Sequence, residues 1–179
     1  MAIPTHIPEA ADMFLDLMKR LERAEALDPA ARAAAPVAER LIARPGPRRF
    51  FHGDATGIPP HVILTDVPFG AWFMAIFLDF FPDESSRIAA RRLVGLGLLA
   101  AAPTGLSGWA EWARADRATR RVGVVHACAN LAATLVFLAS WRARRKERHR
   151  LGANLARAGA VLLIVGGFLG GYMRAARRP

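Results

Sequence analysis

Four runs of about twenty apolar residues, parted by short charged loops, leave this chain few folds to choose from. The first, His61 to Phe81, reads HVILTDVPFGAWFMAIFLDFF and holds two acids, Asp66 and Asp79, with no Lys or Arg. Leu93 to Trp112, Val122 to Trp141 and about Leu155 to Met173 follow it. Each is long enough for a helix to cross a hydrocarbon core of about 30 Å. Short loops make sequential helices antiparallel neighbours. The expected fold is therefore all-α, an integral-membrane, up-and-down four-helix bundle over residues 61–173. Short amphipathic helices and a connecting segment are expected over 1–60, and a basic tail over 174–179.

Composition narrows the function classes. Of 179 residues, 53% are hydrophobic and 22% charged, and the net charge is +10. Such a charge also suits a nucleic-acid binder. Most of the arginines beyond residue 40, however, flank the apolar runs, which is a juxtamembrane distribution and argues against nucleic acid. Cys128 is the one cysteine, so the chain encodes no intrachain disulfide and no zinc or iron–sulfur spacing. No nucleophile elbow, phosphate-binding loop or zinc-protease helix motif occurs, and a non-enzymatic role is expected. The N-terminal MAIPTHIPEAADMF lacks the pattern of a secretory signal, so insertion is expected to rest on the internal spans. Lys and Arg are shared almost evenly between the two faces, and the positive-inside rule selects neither orientation.

Residues 9–26 set Met13, Phe14, Leu17, Met18 and Leu21 at helical spacing against Asp12, Asp16, Lys19, Arg20 and Arg23, which predicts an amphipathic helix. Asp28-Pro29 reads as an N-cap with proline at the first helical position. The helix it opens is alanine-rich, with Val37, Leu41 and Ile42 as its apolar face. Both helices are expected on the membrane surface, on the bundle or on a partner. Pro45 to Pro60, PGPRRFFHGDATGIPP, is expected to be non-helical.

An even number of spans puts both ends of the bundle on one side, so depth follows from position. His61, Asp66, Ser107, Glu111, His126, Asn130 and Tyr172 all fall toward one membrane face. Polar groups at such depths are costly unless they point inward and pair, which makes these seven the candidate site. Three chemistries suit them. A polar network would fix helix register, with His126 and Asn130 bonding to Ser107 or Asp66. His61 and His126 at one level would hold a b-type haem. A histidine with Asp66 and Glu111 would bind a metal ion, or pass protons or ions. Asp79 lies about 27 Å along the helix from His61. It is expected to pair with Arg91, Arg92 or Arg142 at the opposite face. Gly97, Ala101, Thr104, Gly108 and Glu111 in the second run, and Gly166, Gly167, Gly170 and Gly171 in the fourth, mark faces expected to turn inward. Trp109, Trp112 and Trp141 end their runs where interfacial aromatics belong.

The segments RLERAEALD, His52-Gly53, GIPPHVILTDVPFGAW, SGWAEW, RRVGVVHACAN, SWRARR and LGGYM span about residues 20 to 173. Together they resemble a bacterial family of four-span membrane proteins classed as a domain of unknown function. Most of the resemblance lies in TDVPFGAW and the later HACAN, where His61, Asp66, His126 and Asn130 match. Ile58 and Val62 stand where the family pattern has a histidine and a proline, Glu111 where it has aspartate, and Tyr172 where it has histidine. Some members are fused to a Rieske-type iron–sulfur domain. The resemblance thus implies a bacterial plasma membrane and electron transfer nearby, with any redox partner a separate protein. Residues and resemblance together lead to a multi-pass membrane subunit or scaffold. Its expected partners are the bilayer, a membrane or redox protein, or further copies of the chain. A haem- or metal-binding redox protein and a proton or ion carrier are the alternatives.

Overall fold

The computed structural model describes residues 8–175, and no strand occurs among them. Three short helices, α1 (Pro8–Arg23), α2 (Asp28–Leu41) and α3 (Pro45–His52), precede four long ones. These are α4 (Pro60–Leu78), α5 (Glu84–Trp112), α6 (Arg117–Arg145) and α7 (His149–Ala175). All four are long and apolar enough to cross a membrane. Residues 176–179 of the basic tail lie outside the described residues.

α5 and α6 start well before their apolar runs because their N-termini are capped. Asp83 accepts from the Ser86 N–H at 2.9 Å and starts α5; Asp116 accepts from the Thr119 N–H at 2.8 Å and starts α6. The Ser86 hydroxyl and N–H at Asp83, and the Thr119 N–H and hydroxyl at Asp116, favour the ionised carboxylates and hold both below the usual range. The segment expected to be non-helical contains α3. Pro45 and Pro47 sit in its first turn, where backbone N–H groups have no helical partner to lose. Gly53 ends it at φ 70°, so close to the Ile58 carbonyl that a side chain would collide.

Packing is closest within two hairpins, α4 with α5 and α6 with α7. Seams of α5 with α6 and of α4 with α7 join them, which sets α4 and α6 across a diagonal. Along that diagonal the Trp72 and Phe137 rings stack at 4.1 Å, 8° from parallel.

The hairpins also repeat one another. The spacing His61–Trp72–Asp79 on α4 recurs as His126–Phe137–Arg144 on α6, and Gly97–Thr104–Gly108 on α5 recurs as Gly159–Gly166–Gly170 on α7. Equivalent residues do equivalent things. His61 bonds to the Thr104 carbonyl and His126 to the Gly166 carbonyl. Each ring lies against the glycine one turn further on, Gly108 or Gly170. Trp72 covers Gly97 as Phe137 covers Gly159. Asp79 and Arg144, also equivalent, bond to each other. The bundle is thus a parallel pair of like hairpins about an approximate two-fold axis.

Its outer surface is apolar. Only 22–33% of each apolar window is buried, and Leu99, Leu131, Val161 and Phe168 are all more than 60% exposed. Side chains of this kind over four helix faces require lipid around them.

Candidate functional site

The polar side chains of the bundle form layers along its axis. At one end stand the two histidine seats. His61 Nδ1 lies 3.0 Å from the Thr104 carbonyl oxygen and 3.3 Å from Ser107 Oγ. A carbonyl only accepts, so this Nδ1 carries the proton. Thr104 closes the seat from the other side. Pro68 has no N–H for the Leu64 carbonyl, and the Thr104 hydroxyl lies 3.0 Å from that carbonyl and 2.8 Å from the Ala100 carbonyl, sharing its one proton between them. Ser107 Oγ, fully buried, donates to the Thr104 carbonyl at 2.8 Å.

His126 Nδ1 donates to the Gly166 carbonyl at 2.8 Å. Asn130 Nδ2 bonds to the His126 carbonyl at 2.9 Å and lies 3.3 and 3.2 Å from the two ring nitrogens. Nearly equal distances to both nitrogens put that amide over the ring face and not in the ring plane. Asn130 in turn rests on Gly166, where a Cβ would stand 2.7 Å from its Oδ1.

The expected single cluster is therefore two. Ser107 belongs with His61, and Asn130 belongs with His126. Neither bond expected from His126 and Asn130 to Ser107 or Asp66 forms, because each imidazole serves its own hairpin. Asp66 is exposed on the outer face of α4 and makes no hydrogen bond or ion pair among the described residues. Glu111 is half-buried in the last turn of α5. Among the described residues no three His, Cys, Asp or Glu side chains gather as a metal site, so Asp66 and Glu111 do not join a histidine as ligands. Tyr172 reaches away from the histidines and donates to Glu22 Oε1 of α1 at 3.0 Å.

That bond belongs to a layer of N-terminal helices covering the histidine end. Met18 of α1 is buried against Val122 and Leu169, with Phe14 and Leu21 beside it. On α2 the packed face is Ala31 and Ala38, set against Trp112 and Ala113, while Val37 is 61% exposed. Of the expected face Ile42 does pack there, but Val37 points away, and alanine permits the closer approach of the helix. Trp112 and Trp109 consequently lie under α2 and not in the lipid interface, whereas Trp141 carries Arg145 over its ring. Asp28 is no cap: Leu27 holds that position. Its carboxylate instead receives Arg121 Nε at 2.7 Å and Nη2 at 2.9 Å, with Arg117 as a third donor. Hydrogen bonds from Arg121 first, then Arg117, hold the Asp28 carboxyl far below the usual range.

At the far end Asp79 and Arg144 form a bidentate pair, both contacts at 2.6 Å, with side chains 8% and 1% exposed. Arg144 replaces the expected Arg91, Arg92 and Arg142, of which Arg92 and Arg142 point outward. Helix phase carried this signal. Five turns of 3.6 residues lead from His61 to Asp79 and from His126 to Arg144, so both ends of the pair face the axis. Ser140 Oγ donates to the Gly152 carbonyl at 2.6 Å and receives Arg144 Nε at 3.3 Å, completing the layer.

Compared with known protein families, characterised proteins and solved structures, the chain matches none of them.

Proposed function

We propose that the protein is a multi-pass subunit or scaffold of the bacterial plasma membrane, without catalytic activity, whose bundle meets a partner protein. The observation that carries this reading is the use of both inward histidines as helix-to-helix ties. Each spends its Nδ1–H on a carbonyl of the neighbouring helix and seats its ring on a glycine. In lipid such bonds fix register and spacing. The covering N-terminal helices and the buried Asp79–Arg144 pair close the two ends of the same frame.

A second reading has one observation in its favour. An imidazole whose Nδ1–H is held by a carbonyl offers Nε2 as a ligand, the arrangement that metal- and haem-binding histidines use. The two imidazole ligands would be His61 and His126, each from its own hairpin seat, and among the described residues no three His, Cys, Asp or Glu side chains gather for an ion. A b-type haem there would supply one-electron chemistry; the chain's own part would be to orient the two rings. Resemblance to a family with Rieske-fused members supports that alternative and a separate redox protein as its partner.

An absorption spectrum and metal analysis of the detergent-purified protein, with His61→Ala and His126→Ala beside it, separate the readings. The scaffold reading expects a colourless, metal-free protein whose variants lose thermal stability. A Soret band that both variants lose would replace it with the redox reading.

A further inference from the structure

The repeat identifies one place where the two hairpins part company in a way that lipid does not explain. On α6, Leu131 and Leu135 face outward, 61% and 56% exposed. Their equivalents on α4 are Asp66 and Gly70, also exposed. Asp66 has no hydrogen bond or ion pair among the described residues, and around Gly70 no atom comes within 4 Å of where a Cβ would be.

Depth makes this pair costly. Contacts of Trp72 with Phe137 and of Asp79 with Arg144 put α4 and α6 in the same axial register, so Asp66 is level with Leu131. That level is about 15 Å along α6 from Arg121 and about 20 Å from Arg144. It lies between the charged layers on the histidine side of midway, inside the apolar span, where a carboxylate facing lipid is costly. Ile63, Val67, Phe73, Met74 and Phe77 continue the same outer face, each 39–58% exposed. One small residue beside one polar residue in an apolar stripe is how membrane helices let another helix approach and bond.

We infer that the outer face of α4, centred on Asp66 and Gly70, is the docking seam for a transmembrane helix of a separate protein that presents a cationic side chain at this depth. Charge decides the occupant. A second copy docking through the same face would be related by a two-fold and would bring carboxylate to carboxylate. A basic side chain on a foreign helix satisfies Asp66, and Gly70 leaves room for its backbone. The inference rests on the membrane-subunit reading and names the surface by which that subunit meets its partner.

The test uses the full chain in phosphatidylcholine vesicles, donor-labelled at its exposed Cys128, and two acceptor-labelled synthetic helices. One is a leucine helix with a single central arginine one turn from a glycine; the other is all leucine. Energy transfer is expected to report association about tenfold tighter for the arginine helix. Asp66→Leu and Gly70→Leu, which copy the second hairpin's surface, are expected to erase that preference while leaving thermal unfolding in detergent unchanged. Equal association of the two helices, or a preference surviving Asp66→Leu, would overturn the proposal. So would transfer between labelled copies of the chain that Asp66→Leu abolishes, since the occupant would then be a second copy. Release of the protein from membranes by alkaline carbonate would overturn the membrane reading itself, which sets that failure apart from a failure to dock.

Discussion

The hairpins α4–α5 and α6–α7 share their inner layers and differ on their outer faces. Inside, histidine lies over glycine, an aromatic ring covers another glycine, and a charge sits at the far end, all at matching positions. Outside, α6 presents Leu131 and Leu135 where α4 presents Asp66 and Gly70. Inner positions are constrained by the opposite hairpin, and a change there has to be answered across the axis. Outer positions answer only to their surroundings. Their divergence therefore reports what surrounds each hairpin, lipid for α6 and, on our inference, a partner for α4.

The comparison breaks most decisively at its charged layer. Arg144→Ala leaves Asp79 buried and unpaired and is expected to cost about 3–5 kcal/mol in detergent unfolding. Asp79→Arg combined with Arg144→Asp exchanges the two charges between equivalent sites and is expected to regain a substantial part of that loss. A double-mutant cycle showing no coupling would dismiss the layer as a shared feature. The glycine layer comes next. Gly97→Ala would drive a methyl into the Trp72 indole, and Gly159→Ala would bring one to 2.9 Å from the Phe137 ring. Each is expected to lose about 1–3 kcal/mol, with Gly97 the more sensitive of the two. Equal tolerance of alanine at both would show that the rings are not fixed by the glycines.

Smaller effects sharpen the picture. Losing one tie between helices, His61→Ala and His126→Ala should each cost about 1 kcal/mol by thermal unfolding, and to similar extents if the seats are equivalent. Attachment of the N-terminal layer to α6 should depend on acid alone. Because the folded Asp28 carboxyl is held below its unfolded value of about 3.9, its contribution is complete above that pH and declines as pH falls through the folded value. Proteolysis within α1 and α2 should accelerate only in strong acid, and Asp28→Asn should make it fast at neutral pH. Protection that stays pH-independent down to the most acid conditions would remove the Asp28–Arg121 fork as the tether.

Much of the frame was legible in the sequence because lipid imposes a length and a composition. All four spans follow from that, and the inward faces of α5 and α7 follow from their small residues, except that Gly171 is exposed with no neighbouring element against it. The association of His126 with Asn130 follows from one helical turn. What was lost depended on tertiary neighbours. Asp28 has the composition of a cap, and only the distant Arg121 makes it an ionic anchor. Prolines in the first turn of α3 look like helix breakers until the helix start is placed among them. Asp66 was expected inside because a carboxylate in lipid is costly. Helix phase already set it apart from Pro68, Trp72, Ala75 and Asp79, the face of α4 that packs inward. No alignment of charges along the chain distinguishes Arg144 from Arg142, but the internal repeat does.

Unlike charges at equivalent positions bear on how the chain is made. During synthesis the first hairpin is complete before Arg144, the partner of its Asp79 in the finished bundle, has emerged, and two first hairpins from neighbouring ribosomes would confront acid with acid. Two second hairpins would confront guanidinium with guanidinium. Only a first hairpin beside a second one neutralises the axis, and the tether between them supplies that pairing from the same polypeptide as soon as α6 has emerged to Arg144. The ion pair thereby acts as an assembly code, enforcing one-to-one joining of halves whose remaining inner surfaces are alike enough to be confused.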